Sequence, residues 1–196
     1  MQSIQSDLTL PGSGDILALR RWPGAGVPVL YVHGATFSSA LSVGYRFAGR
    51  SWADDLHARG SDVWAFDFLG FGGSTRPKQM EAPAADVAPI GRADDAARQI
   101  AAVVDLIGRE RAGARVHIVA HSWGTMAAGR YAGERADKVG RLVMFGPIGQ
   151  RRVAGLPPAD RIGAWRDVSI ADQLKRFVED VPTSHPPALI EPDLAK

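Results

Sequence analysis

"RVHIVAHSWGTMAAGRYAG", residues 115–133, decides the reading of this chain. An apolar run over 115–120 predicts a buried strand, and the small residues Ala127, Ala128 and Gly129 predict a closely packed helix over 123–133. Between them stands Ser122. The spacing Ala120-x-Ser122-x-Gly124 is a relaxed form of the G-x-S-x-G nucleophile elbow. A serine on so tight a strand-to-helix turn projects its hydroxyl away from the backbone. The turn brings the positions two before and two after the serine together, so both must be small. Presenting the hydroxyl also requires an unusual backbone conformation at Ser122 itself.

Outward from this stretch the chain alternates strand and helix. "VPVLYVHG", residues 27–34, is a short run apolar on both faces, as a buried parallel strand is. "SWADDLHARG", residues 51–60, reads as a helix with Ser51 and Asp54 spaced as a capping box and Gly60 at its end. Residues 62–67, "DVWAFD", form the next buried strand, and 70–91 a long loop with three prolines. In "RADDAARQIAAVVDLIG", residues 92–108, Ala96, Ala97, Ile100, Val103, Val104 and Ile107 share one helical face. Asp94 and Asp95 sit in its first turn, where the helix dipole favours them. "KVGRLVMFG", residues 138–146, reads as one more buried strand. Two strands near 2–10 and 15–22, joined by "PGSGD", precede the series. This order predicts an α/β fold: a mainly parallel sheet with helices on both faces.

Two other stretches bear on Ser122. In an elbow architecture the loop after the strand at 27–34 carries a backbone N–H to the oxyanion hole. That makes Ala35 one expected donor and Trp123, just after the serine, the other. Both amides are expected to lack backbone partners. His33 is read as bracing this loop rather than as a base. Asp67, followed by glycines at 70, 72 and 73, is read as part of a structural loop beside the site rather than as the catalytic acid. Phe37 and Trp123 are candidates to line an apolar substrate pocket.

"HGA" (33–35), "DFLGFGGS" (67–74) and "AHSWG" (120–124), in this order, resemble the N-terminal half of an α/β-hydrolase-fold enzyme, over about residues 5–146. The resemblance implies a serine hydrolase that acts on an ester or similar acyl substrate through an acyl-enzyme on Ser122. C–C bond hydrolysis, acyl transfer and a non-catalytic ligand-binding role on the same fold are the alternatives. Ser122 argues against the aspartate-nucleophile branches, the haloalkane dehalogenases and epoxide hydrolases. The extended glycine-proline loop of proline iminopeptidases is absent from "HGATFSS". In this fold the order is Ser, then Asp or Glu, then His. His33, His57, His117 and His121 all precede Ser122, and only His185 follows, in a proline-rich context that reads as exposed loop. The sequence therefore reads as a hydrolase core over 1–146, truncated after its sixth strand, with the start of a helical cap over 147–196 that includes an amphipathic helix near 170–181. The acid and the base are expected beyond Lys196.

The bulk composition agrees with one domain of this kind. The 196 residues are 45% hydrophobic, and 23 basic against 21 acidic residues leave a net charge of +2. No basic run points to nucleic acid or to an anionic membrane. With no cysteine, thiolate metal sites are excluded. The reading calls for no metal and no cofactor. No secretory leader is legible at the N-terminus and no apolar stretch reaches the roughly 18 residues of a membrane span. The expected location is the cytoplasm. The oligomeric state is not readable from the sequence.

Overall fold

The computed structural model describes residues 3–149, 163–179, 181–182 and 184–185. Six strands form one sheet: β1 (Ile4–Thr9), β2 (Ile16–Trp22), β3 (Pro28–Val32), β4 (Asp62–Phe66), β5 (Val116–His121) and β6 (Val139–Phe145). Their spatial order is β1-β2-β4-β3-β5-β6. The first two strands form an antiparallel hairpin, β2 runs antiparallel to β4, and β4, β3, β5 and β6 are parallel. Three helices connect the parallel strands: α1 (Trp52–Ala58), α2 (Ala93–Glu110) and α3 (Gly124–Glu134). The capping box of Ser51 and Asp54 is formed at the start of α1.

The alternation of side chains along each strand separates two cores. Leu30 and Val32 of β3 and Trp64 and Phe66 of β4 pack with the apolar face of α2 and with Ala127, Ala128 and Tyr131 of α3. Tyr31, Val63 and Ala65 point the other way, to Trp22, Val43 and Ala53 on the α1 side. The helices thus lie on both faces, and every residue expected on the apolar face of α2 is buried. The loop over 70–91 contains two short 3-10 turns, at Lys78–Glu81 and Ala84–Asp86, each starting after a proline.

Two strands differ from expectation. Only alternate residues of β5 are buried, Val116, Ile118 and Ala120, while His117, Val119 and His121 are half-covered. In β6, Val143, Met144 and Phe145 are 53%, 42% and 58% exposed. The physical reason is position. Among the described residues β6 is the edge of the sheet, and the α1-side core reaches no further toward it than Val119 of β5.

The chain divides into two compact units, 1–164 and 165–196. Ala164 hydrogen-bonds to Ala84 and to Ile90, which ties residues 163–164 to the loop before α2. In the second unit, α4 (Ile170–Phe177) begins at Ser169, whose Oγ accepts from the Asp172 N–H at 3.1 Å. Ile170, the first residue of the expected amphipathic helix, is exposed. The described helix ends before Val181.

One buried charge network ties the hairpin to the parallel strands. Asp62, at the start of β4, is fully buried and receives Arg21 through two bonds of 2.9 and 3.0 Å, Trp64 Nε1 at 2.9 Å and the Gly24 N–H at 3.2 Å. The Arg21 guanidinium also lies 4.3 Å above the Trp64 ring. Burial alone would raise the Asp62 carboxyl, but the hydrogen bonds from Arg21, Trp64 and Gly24 outweigh it and hold its pKa below the ordinary value. A carboxyl with a lowered folded pKa contributes stability that is full above its unfolded pKa, about 3.8, and is lost as pH falls below it. Asp62→Asn, which removes the buried carboxylate from Arg21 and leaves it only Glu110 at 2.6 Å, is expected to cost about 3 kcal/mol. Thermal unfolding at neutral pH is then expected to show a midpoint lower by roughly 6–12 °C.

Candidate active site

The site is built where β5 turns into α3. Ser122 has φ +50°, left-handed and rare for a residue with a side chain. Such a residue costs about 1–3 kcal/mol and persists only where its surroundings over-determine it. Here they do. The Ser122 N–H donates to the Phe145 carbonyl on β6 at 2.9 Å. Its carbonyl accepts from the N–H of Thr125 at 2.9 Å and from Thr125 Oγ1 at 2.6 Å, and the same Oγ1 accepts from the Ile148 N–H at 3.1 Å. The elbow is held from both sides, and Ser122 is partly exposed. Its Oγ has no hydrogen-bond partner among the described residues.

Two glycines set how closely the neighbouring loop approaches. A β-carbon on Gly124 would lie 2.3 Å from the His33 carbonyl oxygen, so α3 rests directly on the end of β3. A β-carbon on Gly34 would lie 3.1 Å from the Ser122 β-carbon and 3.4 Å from His121 Nδ1. The loop carrying Ala35 therefore runs against the serine. Among the described residues, neither the Ala35 amide nor the Trp123 amide has a hydrogen-bond partner. Ala35 is exposed and Phe37 is half-buried. The Trp123 ring packs edge-on against Phe68 at 5.4 Å and joins the rim of the α2/α3-side core.

His33 and Asp67 brace this loop. His33 is fully buried. Its Nδ1 lies 2.6 Å from the Gly34 carbonyl, and its Nε2 accepts from the Phe68 N–H at 3.0 Å. Burial lowers its pKa, with a smaller contribution from His121, against the raising effect of the Gly34 carbonyl and Asp67. Asp67 is also buried. One carboxylate oxygen accepts from the Ser39 N–H at 2.7 Å and the other from the Gly73 N–H at 3.1 Å. A β-carbon on Gly72, at φ +48°, would lie 2.0 Å from that second oxygen. Ser74 Oγ closes the turn by donating to the Asp67 carbonyl and accepting from the Ala18 N–H at 2.9 Å. Asp67 thus joins the loop at 33–39 to the loop at 67–74, a role for which the sequence offers one signal, the glycines clustered behind a buried aspartate.

The remaining histidines make no hydrogen bond in this bracing among the described residues. The His121 ring stacks on Phe145 at 5.3 Å. His117 lies on β5, where a β-carbon on Gly140 would meet its ring at 3.0 Å. His57 lies in α1. His185 belongs to the second unit, where it is exposed and its Nδ1 lies 3.1 Å from Ser184 Oγ. Among the described residues no three His, Asp or Glu side chains come together as a metal site requires. No described helix is long and apolar enough to cross a membrane. A shallow cavity of about 280 Å³ lies between the end of α2 and the start of β6, lined by Asp105, Arg109 and Lys138. None of the residues around Ser122 lines it.

Comparison with known proteins gives a consistent picture. A family model described as alpha/beta hydrolase fold matches residues 27–185. No curated protein sequence matches the chain. Among solved structures, an epoxide hydrolase from Vigna radiata is similar with a TM-score of 0.55 at 19% identity, over 81% of this chain and 44% of that one. A thioesterase domain from the curacin biosynthetic pathway is similar at 0.52 and 23% identity, over 71% and 43% of the two chains. A haloalkane dehalogenase from Agrobacterium tumefaciens C58 is similar at 0.53 and 21%, over 74% and 42%. The chain thus spans about two-fifths of the length of each of these structures, and at these identities the likeness is one of fold.

Two substitutions test the bracing. Gly124→Ala puts a methyl group into the His33 carbonyl and is expected to destabilise the fold by about 3 kcal/mol or more, since backbone has little room to yield. Asp67→Asn keeps an acceptor oxygen for one of these amides and turns its NH2 group toward the other, donor against donor. It is expected to cost about 1–3 kcal/mol in urea unfolding and to speed hydrogen exchange at Ser39 and Gly73. Unchanged exchange at both amides would show that the carboxylate does not hold the loops.

Proposed function

Because the chain belongs to the alpha/beta hydrolase fold family, we propose that it is the part of a serine hydrolase that carries the nucleophile, acting in the cytoplasm on an ester or similar acyl substrate. The observation that carries this reading is the left-handed Ser122 at the turn from β5 to α3, pressed against the Gly34 loop. The residue raised on the elbow is a serine, so the covalent intermediate is an acyl-enzyme. Residues 147–196 are assigned as the beginning of a cap, and Phe37 as a wall of the acyl pocket.

In the proposed reaction a general base takes the proton of Ser122 Oγ as that oxygen attacks the substrate carbonyl. The electron pair of the C=O bond moves onto oxygen. The N–H groups of Ala35 and Trp123 stabilise that charge, each at a value of about 2.7–4 kcal/mol in related sites. Trp123 stands at the N-terminus of α3, where the first amides lack intrahelical acceptors and the helix dipole favours negative charge. The Ser122 N–H is committed to Phe145 and is not a donor. Collapse of the intermediate expels the alcohol, which takes the proton from the base. Water then attacks the acyl-enzyme, the base accepts its proton, and the carboxylic acid leaves with the serine restored. The base and its orienting acid are assigned to chain outside the described residues.

Esterase assays on activated aryl esters test the reading, with the complete reading frame and residues 1–196 measured side by side and fluorophosphonate labelling read by mass spectrometry. The complete protein is expected to turn over and to label at Ser122. Ser122→Ala is expected to abolish labelling and to reduce turnover by a factor on the order of a million, as loss of the serine or the histidine does in a related triad. Residues 1–196 alone are expected to show negligible turnover. Undiminished activity in Ser122→Ala would overturn the nucleophile assignment.

A further inference from the structure

The geometry points to His33 as a positioning residue for catalysis: its neutral imidazole fixes the Gly34–Ala35 peptide and thereby aims the Ala35 N–H beside Ser122. This rests on the serine-hydrolase reading for its chemistry, but its structural content stands on the contacts alone.

Both partners of the ring have fixed roles. The Gly34 carbonyl, 2.6 Å from Nδ1, can only accept, and the Phe68 N–H, 3.0 Å from Nε2, can only donate. The two are satisfied together by one species, the neutral imidazole with its proton on Nδ1. The described chain contains no cis peptide bond. In a trans peptide the carbonyl and the following N–H point in opposite directions across one rigid plane. Anchoring the Gly34 oxygen therefore anchors the Ala35 N–H. Anchoring is needed because Gly34 has no side chain to restrict its own rotation, and a side chain there would press on Ser122 and His121. The ring itself cannot turn away. Phe68 and Phe71 pack edge-on against it at 4.9 and 5.0 Å, and the His33 carbonyl lies under Gly124.

The same geometry makes the donor sensitive to acid. A second proton on Nε2 would face the Phe68 N–H, donor against donor. The ionisable groups that act on the ring are Asp67, which favours its charged form, and His121, which disfavours it. Burial is the largest influence and pushes the pKa below 6.5, so the neutral ring persists through neutral pH. For a histidine with a lowered folded pKa, stability is full above the unfolded value near 6.5 and is lost as pH falls below it. This window lies well above that of Asp62.

Two variants separate the two hydrogen bonds. His33→Asn keeps an N–H at the Nδ1 position and loses the acceptor for Phe68. His33→Gln moves its amide one carbon outward, toward Phe68, and leaves the Gly34 carbonyl without its donor. Each loses one bond, so a purely structural role predicts similar behaviour. Imidazole 15N shifts are expected to report the Nδ1–H form in the full wild-type chain. The Ala35 amide shift is expected to stay near wild type in His33→Asn and to move in His33→Gln. Fluorophosphonate labelling at Ser122 is expected to be at least about tenfold faster in His33→Asn than in His33→Gln, since a misdirected oxyanion donor costs rate. An Nε2–H form in the wild type, or equal Ala35 shifts and equal labelling in the two variants, would overturn the proposal. If the wild type does not label at all, the serine-hydrolase reading fails, and the Ala35 shifts alone then decide the role of His33. If His33→Gln does not fold, an acid titration of the wild type decides: the His33 and Ala35 signals must move together, and an Ala35 amide indifferent to His33 protonation would refute the link.

Discussion

The approach of Gly124 to the His33 carbonyl is the constraint on which the site depends. No residue with a β-carbon fits there, because that atom would meet the carbonyl oxygen at 2.3 Å. The contact sets the first turn of α3 on the end of β3. It thereby fixes the depth of the elbow, and Ser122 pays for that depth with a left-handed backbone. The Gly34 loop is drawn against the serine as a result. Two segments far apart in sequence, 33–34 and 122–124, come together through one missing side chain.

Around this contact the polar groups divide by task. At the C-terminal ends of β3 and β4, His33 and Asp67 spend their buried polarity on backbone amides and carbonyls of two loops. These bonds hold the orientation of peptides in both loops. At the opposite end of β4, Asp62 is paired with Arg21 and stacked about by Trp64. That network joins the antiparallel hairpin to the parallel strands and lies on the far side of the sheet's length from Ser122. A chain with nearly balanced charges has thus concentrated its buried ions at the two ends of one central strand.

The apolar groups are distributed less evenly. Both faces of β3 and β4 are covered, while Val143 and Phe145 of β6 stand exposed in line with the half-covered Val119 and His121 of β5. Trp52 reaches across from α1 to touch both Tyr31 and Phe145 with its ring. The elbow borrows rigidity from this less protected side, since the Ser122 N–H bonds to the Phe145 carbonyl. Rigidity at Ser122 is therefore coupled to the order of the sheet's edge.

The sequence by itself determined the elements and marked Ser122 as the candidate nucleophile. Strand and helix periods, the Ser51–Asp54 capping box and the small residues flanking Ser122 are local signals, because backbone hydrogen bonding and turn sterics act over a few residues. They were enough to place the α/β alternation and to single out Ser122 at the junction of β5 and α3. The coverage of β5 and β6 was not legible: an apolar run reads the same whether or not a helix lies over it. Nor were the partners of His33, Asp67 and Asp62, which lie 35, 28 and 41 residues away in their key bonds. Such bonds are selected by which strands become neighbours and how their loops meet. Only the tertiary structure could decide them, because these partners come from segments distant in the chain that folding alone brings within reach.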